Sequence, residues 1–113
     1  MRIVHTEEFL KLPKNTLFAT YTPHCFGELM IKMDTMTSDW SEQAIIEIES
    51  EGSSDLWDKL EGAEENGDRL ELDLDCCGRD GMFDDEAMFA VFDSKDVQQI
   101  INRLHQCVKG DKI

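Results

Sequence analysis

Fourteen Asp or Glu and three Lys or Arg fall between residues 51 and 86, and the same stretch spaces its apolar side chains first helically and then alternately. Together these facts limit the folds open to the chain. A segment with this charge keeps most of its carboxylates in water, because burying an unpaired ionised carboxylate is prohibitive. Its periodic leucines nonetheless need cover on one side. The segment is therefore read as a folded acidic region with one wet face rather than as an acidic tail.

The flanks are milder. Residues 1–50 hold eight acids and four bases, and residues 87–113 hold three acids and four bases. The whole chain of 113 residues sets 25 Asp or Glu against 11 Lys or Arg, a formal charge of −14. This length suits one domain, able to bury about two-thirds of its extended surface without disulfides or metals. A hydrophobic content of 41% argues against wholesale disorder. Net negative charge disfavours direct binding to nucleic acid or to an anionic membrane, both of which call for cations. Residues 1–15 lack the apolar run of a signal peptide, and no later segment approaches the roughly 18 to 20 apolar residues of a membrane span, so a cytoplasmic site is expected.

Element by element, Thr6 caps a short helix over residues 7–12, ended by Pro13. Residues 17–22 and 28–34 read as two strands joined by a hairpin loop over 23–27, the second with Leu29, Ile31 and Met33 on one face. Residues 35–43 read as an irregular connection or a helical turn. In residues 44–51, Ile46 and Ile48 alternate with Glu47, Glu49 and Glu51, which favours a strand, while Ile45 leaves open a helix running from Trp40. Ser53 and Ser54 open a helix with Leu56, Trp57, Leu60 and Ala63 on one side and Asp55, Asp58, Glu61 and Glu65 on the other, ended at Asn66-Gly67. Residues 69–75 alternate cleanly, Leu70, Leu72 and Leu74 against Arg69, Glu71, Asp73 and Asp75. Residues 87–92 are apolar throughout, as in a central strand. Asp93 or Ser94 then caps a helix with Val97, Ile100, Ile101, Leu104 and Val108 at helical spacing, stopped by Gly110. The expected fold is α+β: a mainly antiparallel sheet of four to five strands, two to three helices, and the C-terminal helix packed on the sheet.

Carboxylates on alternate strand positions lie about 6.6 Å apart. Glu71, Asp73 and Asp75 thus form a row, and Glu47, Glu49 and Glu51 form a second if their segment is extended. One DNA strand presents a phosphate about every 3.4 Å. Two such rows with the Asp55, Asp58, Glu61 and Glu65 helix face approach that charge density. Like charges held together disfavour folding by tenths of a kcal/mol per opposed pair. A surface that tolerates this suits cations or a basic protein, although solvated carboxylates also serve solubility alone.

Catalytic and metal signatures are missing. Asp73, Asp75, Gly78 and Asp84 partly copy a calcium loop, but Cys77 occupies a ligand position and no helix precedes it. His24-Cys25, Cys76-Cys77 and His105-x-Cys107 lack zinc-knuckle spacing. The four cysteines read as reduced, mostly buried thiols. A glycosidase-type pair drawn from Asp80, Asp84, Asp85 and Glu86 is unmarked by any tuned environment. There is no G-x-S-x-G, P-loop or dinucleotide fingerprint. No cofactor and no enzymatic activity are expected. Phe83, Phe89 and Phe92 read as core, and Trp57 as the anchor of its helix on the sheet. Trp40, among Ser38, Asp39, Ser41 and Glu42, is the candidate aromatic contact for a partner.

The segments from Glu7-Glu8-Phe9-Leu10-Lys11-Leu12-Pro13 to Thr22-Pro23, and from Arg79-Asp80-Gly81-Met82-Phe83-Asp84 to Phe89-Ala90-Val91-Phe92, resemble small acidic accessory proteins encoded by phages and prophages. The resemblance covers less than half of the chain and carries over no site residue. It implies an accessory factor that binds host machinery, as acidic phage proteins do when they stand in for DNA before restriction or CRISPR effectors. The expectation is a non-enzymatic inhibitor or modulator acting as a nucleic-acid mimic. Its face of Glu47, Glu49, Asp55, Asp58, Glu61, Glu65, Glu71, Asp73 and Asp75, with Trp40, would meet a basic host protein in the host cytoplasm. The alternative is a structural or assembly module, a homodimer or docking protein, in which the acids only solubilise.

Overall fold

The computed structural model describes residues 1–75, 78–80 and 86–110, with the side chains of residues 79, 80, 109 and 110 left aside. The elements in order are β1 (Arg2–His5), α1 (Thr6–Leu10), β2 (Thr16–Thr22), β3 (Cys25–Thr35), β4 (Trp40–Ala44), α2 (Ser53–Asn66), β5 (Gly78–Asp80), β6 (Met88–Phe92) and α3 (Ser94–Gly110). Five strands in the order β1-β6-β2-β3-β4 form an antiparallel sheet, which the three-residue β5 extends beyond β4. The fold is α+β, as the periodicities require.

The apolar run at residues 87–92 becomes β6, which lies between β1 and β2 and buries Phe89, Ala90 and Val91. A strand flanked on both sides needs no polar face, which accounts for its composition. Two-residue alternation in β2 and β6 sends Phe18, Phe89 and Val91 to one face of the sheet. There α1 lays Phe9 among them. Its ring stacks on Phe89 at 4.1 Å between centroids and meets Phe18 and Trp40 edge-on at 4.7 and 4.9 Å. A five-residue helix is far too short to hold itself together in water, so this aromatic packing is what fixes it.

Several expectations are corrected. The first helix starts at Thr6, not after it; the Thr6 hydroxyl faces the Ala87 carbonyl at 3.5 Å instead of capping. The hairpin loop shrinks to Pro23 and His24, and His24 takes a left-handed conformation (φ 69°) while its amide donates to the Tyr21 hydroxyl. Of residues 35–43, Thr35 ends β3 and Trp40 starts β4, so the irregular connection shrinks to residues 36–39, and no helix runs from Trp40. The strand expected over 44–51 lies earlier, at Trp40–Ala44. Residues 69–75 join no strand: Leu72 and Ile48 form one isolated antiparallel bridge. Alternation reports which side of a chain wants cover, whereas a strand also needs an edge of matching length to pair with.

The C-terminal helix is present, and its start is built as the sequence suggests. Asp93 Oδ1 accepts the Asp96 amide at 3.0 Å, and Asp96 Oδ2 accepts the Asp93 amide at 3.2 Å, a reciprocal capping box. Packing is confined to that end. Val97 and Ile100 are half-buried, but every residue from Ile101 to Val108 is exposed. The molecule is correspondingly open. Its radius of gyration is 16.5 Å, against about 13 Å for a compact domain of this length.

Candidate protein-docking surface on the acidic lobe

Between β4 and β5 the chain leaves the sheet and builds a small lobe from residues 45–75. Among the described residues α2 makes no substantial contact with any strand and buries none of its side chains. The lobe holds itself together locally. The Glu49 amide donates to the Glu71 carbonyl at 2.9 Å, and the Asp73 amide donates to the Glu47 carbonyl at 2.8 Å, closing the bridge around Ile48 and Leu72. From α2, the Lys59 ammonium reaches the Glu49 carbonyl at 2.8 Å. Gly67, in the left-handed region at φ 72°, ends α2 by donating its amide to the Ala63 carbonyl.

This arrangement brings the two carboxylate rows together. Across the bridge Glu47 lies opposite Asp73 and Glu49 opposite Glu71, on the face away from Ile48 and Leu72. Opposed residues of such a pair sit about 5.5 Å apart at Cα. The four carboxylates do not converge into a cage. Among the described residues no three His, Cys, Asp or Glu side chains are grouped to hold a metal ion. Asp75 continues the row at the exposed end, its amide donating to Asp73 Oδ1 at 2.9 Å.

Charge on the lobe is little neutralised from within. It carries twelve acids and two bases. Among the described residues its ion pairs are Lys59 with Asp55 at 3.3 Å and Arg69 with Glu71 at 3.3 Å. Asp55 is held below the usual carboxylate range, chiefly by the Glu51 amide at 2.8 Å and also by Lys59. It is half-buried at the first turn of α2 and serves the lobe's own structure. Asp58, Glu61 and Glu65 are exposed on the other side of α2 from the Lys59 contact. The carboxylates therefore form two surfaces, a bridge face and a helix face, where the sequence suggested a single plate.

The two tryptophans exchange roles. Trp40, expected as a partner contact, is 3% exposed in the aromatic core, and its indole N–H donates to Glu42 at 2.9 Å. It begins a strand on the covered face of the sheet and has no surface to offer. Trp57, expected as an anchor on the sheet, is 68% exposed, and its indole N–H donates to Glu61 at 2.9 Å. A shallow depression of about 350 Å³ beside it is lined by Ser53, Ser54, Trp57 and Asp58. Leu60 lies exposed on the same side. One sequence signal marked this: Glu64 stands seven residues after Trp57 and four after Leu60, where a buried stripe would continue with an apolar residue.

Cys76, Cys77, Phe83, Asp84 and Asp85 lie outside the described residues, so the calcium-loop pattern and the adjacent thiols have no structural account. Cys25 and Cys107 are free but exposed, where buried thiols were expected: Cys25 opens β3 at the hairpin tip, and Cys107 lies on the unpacked end of α3. Among the described residues no helix is long and apolar enough to cross a membrane. No family model, curated protein or solved structure matches the chain.

Proposed function

We propose that this chain is a non-enzymatic protein-binding module whose acidic lobe docks on the basic, nucleic-acid-binding surface of another protein and competes with nucleic acid for it. The observation that carries this reading is the exposed Trp57 among Asp58, Glu61 and Glu64. Free carboxylates alone serve solubility as well as recognition. A large aromatic side chain held in water by a hydrogen bond to one of those carboxylates has no such use, and tryptophan is the side chain most enriched among binding hot spots.

The division of labour follows from the geometry. Asp58, Glu61 and Glu65 on the helix, with Glu47, Glu49, Glu71, Asp73 and Asp75 on the bridge, supply a field that accelerates encounter with lysines and arginines. Trp57 and Leu60 supply the apolar area that makes the complex last. The lobe stands clear of the sheet, so a groove can close around it without disturbing the core. The resemblance to phage-encoded accessory proteins makes a bacterial defence or nucleic-acid-processing protein the natural target class, with the bacterial cytoplasm as the place of action.

The test is capture from a bacterial lysate on the immobilised chain, followed by elution with duplex DNA. The reading expects a basic protein that DNA displaces and that a Trp57→Ala column fails to retain. A retained protein that DNA does not displace would refute competition with nucleic acid.

A further inference from the structure

The face of the sheet opposite α1 is unlike any other surface of this molecule. The strand registers put Ile3 and His5 of β1, Met88, Ala90 and Phe92 of β6, Leu17, Ala19 and Tyr21 of β2, Leu29, Ile31 and Met33 of β3, and Ser41 and Gln43 of β4 on that one side. Among the described positions of this side the one acid is Asp34, which shares a bulge with Met33 opposite Ser41 at the end of β3, in a chain with 25 Asp or Glu. The two alanines are buried, but no large apolar side chain on this face is: Ile3 and Leu29 are exposed, and Leu17, Ile31, Met33, Met88 and Phe92 are half-buried. Beside it, α3 presents Ile101, Leu104 and Val108 to water, with Leu104 57% and Val108 74% exposed. The two surfaces adjoin, because Val97 at the head of the α3 stripe shares a cleft of about 430 Å³ with Leu17 and Phe92.

We propose that this sheet face and the α3 stripe are the surface through which two copies of the chain associate. Charge selects the occupant. A second copy also carries −14, so two copies approach at least electrostatic cost where neither presents carboxylates. This face comes nearest to that, with Asp34 alone at its margin, and α3 adds three bases against one acid, Asp96, which is already paired with the terminal ammonium of Met1 at 2.5 Å. A basic partner gains nothing here that the lobe does not offer more strongly.

Area agrees. Five strands about 4.8 Å apart and five residues long cover roughly 20 by 17 Å. The stripe from Val97 to Val108 adds a strip roughly 16 Å long and about 10 Å wide. That planar footprint of about 500 Å², before side-chain relief is counted, is on the scale of the ~800 Å² of accessible surface each partner contributes to a stable dimer. The interface leaves the acidic lobe outside, so this inference and the docking reading stand or fall separately.

Sedimentation equilibrium of the full chain tests it. The expected result is a species of twice the 13.0 kDa chain mass at 100 μM (about the upper end of routine work), undiminished by raising NaCl, since screening relieves repulsion between like-charged copies. Leu29→Glu on the sheet and Leu104→Glu on α3 alter exposed positions, and each should weaken association at least about tenfold with the circular dichroism spectrum retained. Should either variant lose its fold, hydrogen exchange of the wild-type chain across a dilution series substitutes, with concentration-dependent protection expected in β2, β3 and α3. Glu71→Lys, Asp73→Lys and Asp75→Lys together should leave the dimer mass unchanged. A wild-type monomer at 100 μM, or a dimer indifferent to both glutamate variants, would overturn the proposal.

Discussion

At the scale of single residues, burial decides function here more than residue type does. Trp40→Ala removes a core aromatic packed against Phe9 and Phe89 and should cost about 3–5 kcal/mol of stability, read as a lowered denaturant midpoint. Trp57→Ala should leave stability within about 0.5 kcal/mol while abolishing retention of the captured protein. Sequence spacing had these two the other way round, because a polar neighbourhood in sequence says little about which face of an edge-ward strand meets the core. Lys32 is a second residue whose environment outweighs its type. It is fully buried, its ammonium donating to the Leu12 carbonyl at 2.9 Å and to the Thr35 hydroxyl. Burial lowers its pKa below the ordinary lysine value, with Asp34 opposing. The sign follows from proton linkage: between the folded and unfolded pKa values the unfolded chain binds more protons, so this group's contribution to stability rises with pH. Lys32→Met serves as the reference. Its stability relative to wild type should fall as pH rises towards the ordinary lysine value of 10.5, and a constant difference would mean that Lys32 does not titrate differently on folding.

Elements differ sharply in how firmly they are held. β2 and β6 lie inside the sheet with neighbours on both sides, whereas α2 is anchored by Lys59, the Asp55 turn and one bridge. Amides in such weakly packed units exchange through local opening. Native-state hydrogen exchange should therefore release α2 well before β2 and β6, by at least about a hundredfold in protection. Equal protection across all three would show the lobe to be part of the cooperative core. Legibility from sequence followed the same division. The apolar run of β6, the Asp93 cap and the Asn66-Gly67 stop were readable because each is enforced by its own residues. The alternation at residues 69–75 was equally plain, yet its leucines stay largely exposed, Leu72 at 53% and Leu74 at 66%. Whether a partner edge exists is a property of the rest of the chain, and no local pattern reports it. β1 was missed for the same reason, since only its pairing with β6 makes Arg2–His5 a strand.

Considered whole, the molecule sorts its surface by charge. Carboxylates are densest on a lobe held away from the sheet, apolar side chains line the open sheet face and the Ile101-Leu104-Val108 stripe of α3, and an aromatic cluster under α1 holds the frame together. Solubility alone would call for carboxylates spread over every surface, including the sheet face, whose described positions carry only Asp34 at one end. Segregation instead fits two kinds of contact, one steered by charge and one driven by apolar burial. The contact steered by charge must weaken as salt rises, because most of the lobe's carboxylates are solvent-exposed and screened over a Debye length of about 10 Å at 0.1 M. The most direct test compares the affinity of the captured protein for the wild-type chain and for the chain carrying Glu71→Lys, Asp73→Lys and Asp75→Lys, at 50 and 500 mM NaCl. Wild-type binding is predicted to weaken at least about tenfold across that range, and the reversed lobe to bind at least about a hundredfold more weakly at low salt. Equal affinity for the two chains at 50 mM would contradict the account.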